Sequence, residues 1–199
     1  MIIKSIFKVI ESIHVKVDLY KINLTMWEYE SIESKGRFEF IVSSNTKILK
    51  YFKTIVSERG EKYLHLAEER LNSGDFICFG FLDKEEHDIA YLRWLKKKTF
   101  YSEVYKKTIF LGDKDAFTMD SYTPVKYRGL KLHKDTNSNM LNYIKKKFDL
   151  ENIYIIIFNG RKYDHLHRTI KQLGYVKENT NSYFDFSYAK SKISRLLKT

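Results

Sequence analysis

The stretch Asp120–Leu132, DSYTPVKYRGLKL, decides how the rest of the chain is read. Upstream, Phe117–Thr123 alternates as a strand, with Thr118, Asp120 and Tyr122 expected on one face and Phe117, Met119 and Ser121 on the other. Pro124, the single proline, ends its pairing. Downstream, Leu132, Thr136, Met140, Leu141, Ile144 and Phe148 keep helical spacing up to lysines 145–147, whose charge suits a helix carboxyl end. The apolar run Ile153–Phe158 follows without polar alternation, as expected of a central strand covered on both faces, and Asn159-Gly160 closes it. Strand, tight Arg128-Gly129 turn, helix and second strand form a unit whose helix N-terminus can hold a phosphate group.

Working outward, Asp75–Leu82 and Asp88–Leu95 read as an antiparallel strand pair around the charged turn 83–86. Before them, Arg37–Ser43 is a strand, and Ser44-Asn45-Thr46 caps a helix carrying Ile48, Leu49, Phe52, Ile55 and Val56 that Gly60 closes. A second helix carries Tyr63, Leu64, Ala67 and Leu71. Residues 96–116 mix lysines and aromatics and read as an irregular loop. His14–Thr25 reads as one or two strands with a change of face near Tyr20. After residue 160, a helix from about Asp164 to Leu173 is capped by Gly174, and a terminal strand region reaches Tyr188. The expected organisation is an amino-terminal extension of helix and strands over 1–43, one domain over 44–188, and a basic tail over 189–199.

Composition narrows the function classes. With 199 residues, 43% hydrophobic and 16% aromatic, the chain fills one substantial core. The excess of 36 Lys plus Arg over 25 Asp plus Glu, a formal charge of +11, favours anionic partners: nucleic acid, acidic lipid or a phosphorylated cofactor. A lysine-rich codon bias gives the same excess. The lone Cys78 cannot form an internal disulfide and reads as a buried strand residue, consistent with a reducing cytoplasm. No run approaches the ~18 apolar residues that cross a bilayer. Ile2, Ile3, Ile6, Phe7, Ile10 and Ile13 sit at helical spacing, which serves equally a helix packed on the domain and a peripheral membrane contact through residues 1–13. Nucleic acid is disfavoured, because no element interleaves a basic face with exposed aromatics. Asp164, His165 and His167 do not make a metal site, since an H-x-H pair on a helix points its imidazoles apart.

With Tyr127-Arg128-Gly129 before the long helix and Leu173-Gly174-Tyr175 after the last one, the chain resembles the GNAT superfamily of N-acetyltransferases, most sharply over 117–176. The resemblance implies an α/β (α+β) fold: a mixed, mostly antiparallel, twisted central sheet flanked by helices on both faces. It also implies acetyl-CoA as co-substrate, without a metal, and a small-molecule amine acceptor, with the "YTPVKYRG" pattern similar to members linked to surface polysaccharide synthesis. The pantetheine arm would lie along Ser121, Tyr122, Thr123 and Val125, and the turn Arg128, Gly129, Leu130, Lys131, Leu132 and His133 would face the diphosphate. Lys131 and His133 stand where the family's loop has small residues.

Direct attack of an amine on the thioester needs a proton acceptor and a route for the departing thiolate. Asp120, or a water ordered by Tyr122, is the candidate base. The family's thiolate acid is a tyrosine four residues before the closing glycine, and that position is Ile170 here, which leaves His167 or Tyr163 as candidates. The alternative is a non-catalytic module of the same shape that binds nucleic acid or an acidic membrane.

Overall fold

The computed structural model describes residues 14–28 and 34–184. The amino-terminal helix expected over residues 2–13 and the basic tail lie outside the described residues. The element order is β1 (His14–Asn23), β2 (Ser34–Lys35), β3 (Phe38–Ser43), α1 (Lys53–Arg59), α2 (Glu61–Asn72), β4 (Phe76–Asp83) and β5 (Asp88–Lys96). Then come β6 (Phe100–Ser102), β7 (Lys107–Ile109), β8 (Asp115–Tyr122), α3 (Leu132–Lys147), β9 (Asn152–Phe158), α4 (Asp164–Gln172) and β10 (Val176–Phe184).

Eight strands form one sheet in the order β10-β1-β9-β8-β5-β4-β3-β2, antiparallel throughout except for β8 beside β9. That one parallel pair follows from the crossover through α3, which returns the chain in the same direction. One face of the sheet is covered by α1 and α2, where Phe52, Ile55, Ala67 and Leu71 pack on Cys78, Leu92 and Trp94. On the other face α3 and α4 bury Met140, Leu141, Ile144 and Ile170 against Phe79, Leu95, Ile153 and Ile155. On β9, Ile153, Ile155 and Ile157 are buried against α3 and α4, while Tyr154, Ile156 and Phe158 are partly buried on the β6–β7 side, so the apolar run reflects cover on both faces that is complete on one only.

Two local readings change and one holds. Of the one or two strands expected over His14–Thr25, β1 is one, and the change of face near Tyr20 holds: Val17 is buried on the β6–β7 side and Tyr20 and Ile22 against α3 and α4, with a register shift between Leu19 and Tyr20 in its pairing to β10. Residues 100–109 are not loop but a hairpin, and its Tyr105 and Ile109 cover Val17 and Phe117. Its strands have three residues each, too few for alternation to show. The helix expected to begin at residue 46 is instead a 3-10 turn over Thr46–Tyr51, capped by Asn45 through Lys47 N–H (2.8 Å), and α1 restarts after the buried Phe52. The Asp88 carboxylate then accepts from the backbone N–H (3.3 Å) and the hydroxyl of Thr54 in the first turn of α1.

The largest change is in β8. Trp94 pairs with Met119 and Leu92 with Tyr122, so one extra residue stands on β8 opposite Arg93. Asp120 takes up the bulge at φ +47, a left-handed conformation that Asp tolerates better than most residues. The simple alternation therefore fails: Met119 and Tyr122 both pack toward α1 and α2. The Asp120 carboxylate follows them, accepting from Arg59 of α1 (3.0 Å) and Arg70 of α2 (2.7 Å).

Two substitutions test this framework. A Cβ on Gly80 of β4 would stand 2.2 Å from the Tyr91 carbonyl oxygen, a backbone atom that cannot swing away. Gly80→Ala should cost roughly 1–3 kcal/mol in denaturant unfolding, and an unchanged midpoint would contradict the packing of β4 on β5. Asp120→Asn keeps a side chain that suits positive φ but removes the charge facing both arginines; it should cost about 2 kcal/mol, measured the same way.

Candidate active site

Pairing of β8 with β9 runs only from Asp115/Asn152 to Thr118/Ile155. Beyond it Met119–Tyr122 and Ile156–Phe158 diverge, because the bulge at Asp120 ties β8 to β5 and to the α1–α2 arginines instead. The result is a break in the ladder between β8 and β9 in the middle of the sheet. A cavity of about 110 Å³ opens from it on the α3–α4 side, lined by Arg93, Ser121, His133, Tyr163 and Leu166 among others. A larger one, about 750 Å³, opens on the α1–α2 side, lined by Arg59, Arg70, Phe76, Lys96, Phe100 and Glu103 among others. Thr118, Met119, Asp120, Ile156 and Phe158 border both, so the two spaces lie on either side of the same strand ends.

The turn after β8 leads to the first cavity. Val125–Tyr127 forms a 3-10 turn, Arg128 Nε donates to Thr123 O (3.3 Å), and Gly129 (φ +84) and Lys131 (φ +59) place the chain into α3. Lys131 adopts a left-handed geometry, with its side chain exposed. His133 turns inward: Tyr91 Oη lies 2.9 Å from its Nδ1, and Asn137 Nδ2 lies 3.2 Å from its Nε2. Burial, together with the positive charges of Arg93 and His165, pulls its pKa down to about 3 and keeps the ring neutral. No described group accepts from the N–H of Gly129 or Lys131, and the first N–H groups of α3 have no intrahelical acceptor. These donors suit an anion.

The remaining sequence candidates are distributed unevenly. Asp120 and Ser121 line the gap. Burial of Asp120 works against its charge, but hydrogen bonds and charge from Arg70 and Arg59 outweigh it and hold the carboxyl below its usual range. Tyr122 does not stand alone: its hydroxyl donates to Glu58 at the end of α1, and burial and that carboxylate raise its pKa. Glu58 also accepts from Val125 N–H (3.0 Å), so the backbone donor expected to meet the pantetheine arm already has a partner. Tyr163 lines the smaller cavity and stacks on Phe158 with ring centroids 5.5 Å apart. His167 does not line either cavity at the gap; its Nε2–H donates to Phe158 O (3.0 Å) and its Nδ1 accepts from Tyr20 Oη (2.8 Å), since a carbonyl can only accept. Ile170, at the family's tyrosine position, is buried in the core.

Sequence reading missed Glu58, Arg59, Arg70 and Arg93. The first three lie on exposed-looking helix positions and meet β8 and the turn after it only at sequence separations of 50–67 residues. Arg93 carried a signal: it interrupts the otherwise apolar run IAYLRWL of β5.

Among the described residues no group of three or more His, Cys, Asp or Glu could hold a metal ion, and no helix is long and apolar enough to cross a membrane. No protein-family model matches the sequence, and no curated protein does. Solved structures do match. A tandem GNAT protein from the clavulanic acid biosynthesis pathway aligns with TM-score 0.58 and 8% identity over 84% of this chain and 52% of its own. A GCN5-related N-acetyltransferase from Sphaerobacter thermophilus gives 0.56 and 6% over 90% and 55%. A GNAT-family acetyltransferase from Colwellia psychrerythraea gives 0.55 and 13% over 84% and 54%. The chain spans about half the length of these structures. Together with the sheet order and the gap between β8 and β9, these matches identify the chain as having the GNAT acetyltransferase fold.

Proposed function

We propose that the protein is an acetyl-CoA-dependent N-acetyltransferase that joins donor and acceptor in one ternary complex. The observation that carries this reading is the gap between Met119–Tyr122 and Ile156–Phe158, with a cavity on each face of the sheet. A thioester arm entering from the α3–α4 side would meet an amine held on the α1–α2 side, and proximity alone would remove much of the entropic barrier. The N–H groups of Gly129, Lys131, Leu132 and His133 would hold the diphosphate, with the Lys131 ammonium as an added charge contact. The acetyl thioester supplies the electrophilic carbonyl carbon.

An alkylamine is protonated at neutral pH, with a pKa of about 10.4 for a lysine-like group, so a proton must leave before attack. Asp120 is committed to two arginines, which favours the Tyr122–Glu58 pair, through water, as the acceptor of that proton. Arg59, Arg70 and Lys96 against Asp120 and Glu103 leave the walls of the larger cavity net positive. Aromatic rings of Phe76 and Phe100 lie 4.1 and 5.6 Å from the Lys96 ammonium. An amine bearing an acidic group, an amino acid or an amino sugar phosphate, suits those walls better than a polycation. Amino sugar acetylation also occurs on this fold: a fungal glucosamine N-acetyltransferase region aligns with TM-score 0.54 and 14% identity over 84% of this chain and 20% of its own.

Acetyl-CoA at a hundred times its dissociation constant should stabilise the protein by about 2.7 kcal/mol, a shift of several degrees in melting. Lys131→Glu, an exposed change, should weaken that binding by about tenfold or more while leaving the unliganded melting temperature in place. No shift with acetyl-CoA, set against stabilisation by heparin or DNA that disappears at raised salt, would favour the binding-module alternative.

A buried neutral His133 predicts acid sensitivity. Its folded pKa, about 3, lies below the ordinary 6.5, so the unfolded chain takes up a proton that the folded chain refuses. Stability is full above pH 6.5 and is lost as pH falls toward 3. By pH 4.5 the wild type should have lost about 2–3 kcal/mol more than His133→Gln, and parallel stability curves would show that His133 protonates freely in the fold.

A further inference from the structure

Arg93 has no role in the account above, yet its surroundings call for one. It lies on β5 opposite the β8 bulge, is 2% exposed, and borders the smaller cavity. Its Nε and Nη1 have no hydrogen-bond partner, and no described carboxylate forms an ion pair with it. Its polar neighbours cannot balance the charge: His133 is neutral, and burial resists ionisation of Tyr91 and Tyr175. A buried guanidinium without a counter-charge is costly to keep, and such groups are retained where a ligand completes them.

The cavity indicates which ligand atom that is. The cavity beside Arg93 is small, about 110 Å³, and the diphosphate would have its own donors at the Gly129 turn. Thr118, Met119 and Ile156 border this cavity and the larger one alike, so the space beside Arg93 adjoins the place where donor and acceptor would meet. Ile170 supplies no acid there.

Resting on the donor reading above, we infer that Arg93 is a catalytic residue whose fixed positive charge stabilises the departing thiolate of coenzyme A. The amine nitrogen bonds to the carbonyl carbon, the carbon–sulfur bond breaks, and sulfur leaves with the electron pair. Nitrogen, having given up one proton before attack, loses a second as the amide forms, and both leave through water on the Tyr122–Glu58 side. A guanidinium donates no proton at neutral pH, so sulfur leaves as an anion facing a preorganised charge. The arrangement replaces acid catalysis by electrostatics.

The test is calorimetric binding of coenzyme A and of desulfo-coenzyme A to the full chain at pH 6.5 and 9.5, with no acceptor needed. Stabilising the thiolate makes the bound thiol ionise below the ordinary value of about 8.5, so affinity for coenzyme A should rise with pH relative to the desulfo analogue, by about tenfold. Arg93→Met should abolish that rise and Arg93→Lys should restore part of it. Arg93→Met should also raise the melting temperature of the unliganded protein, because it removes a buried unpaired charge. Equal pH dependence for both ligands in the wild type overturns the proposal. So does an equal loss of both in Arg93→Met, which would mean that Arg93 contacts phosphate. A lowered unliganded melting temperature would make Arg93 structural, and loss of the pH-dependent rise in Tyr163→Phe alone would transfer the role to Tyr163. If neither ligand binds the wild type, the donor reading itself fails and this inference falls with it.

Discussion

The ion pairs from Arg59 and Arg70 to Asp120 hold one residue of β8 in a left-handed conformation, and the functional geometry depends on that residue. A regular β8 would continue its parallel ladder with β9 past Thr118 and close the sheet. With the bulge in place, the strand's end is drawn toward α1 and α2, and its main-chain groups beyond Met119 no longer meet β9. Two arginines from consecutive helices thus keep apart two strands that hydrogen bonding would otherwise join. Arg59 also lies over the rings of Tyr63 (3.8 Å) and Tyr122 (5.0 Å), which fixes its approach to the carboxylate.

Charge is arranged differently on the two sides of the gap. On the α1–α2 side, arginines and an acid are paired and partly exposed, so their field is moderated by solvent. On the α3–α4 side, Arg93 is buried beside groups that burial keeps neutral, and its field is unopposed by any described partner. A reaction that starts with a neutral thioester and ends with an anionic sulfur gains from that asymmetry, because the charge appears where the site is already polarised to receive it.

Much of the architecture was legible because helices and long strands repeat their burial pattern locally. The spacing of Leu132, Thr136, Met140 and Ile144 marked α3, and the unbroken 153–158 run marked a strand, though one fully buried on one face and only partly on the other. The β6–β7 hairpin was not legible, since three-residue strands leave no period. Nor was the bulge, because a single inserted residue changes facing without changing composition. The site was legible in its frame and not in its partners: the Gly129 turn has a local signature, whereas the contacts of Glu58, Arg59 and Arg70 exist only after folding. His167 illustrates the converse. It stands one helical turn from the expected acid position, yet its ring ties Tyr20 to the Phe158 carbonyl.

The central claim is that the divergence of β8 and β9 is a ligand-binding gap. Backbone amide chemical shifts recorded during a coenzyme A titration test it directly. The account predicts that the largest changes fall on Met119–Tyr122, Ile156–Phe158 and Gly129–His133, from both walls of the gap and the turn above it. Binding that leaves those amides unmoved while perturbing another surface would contradict it.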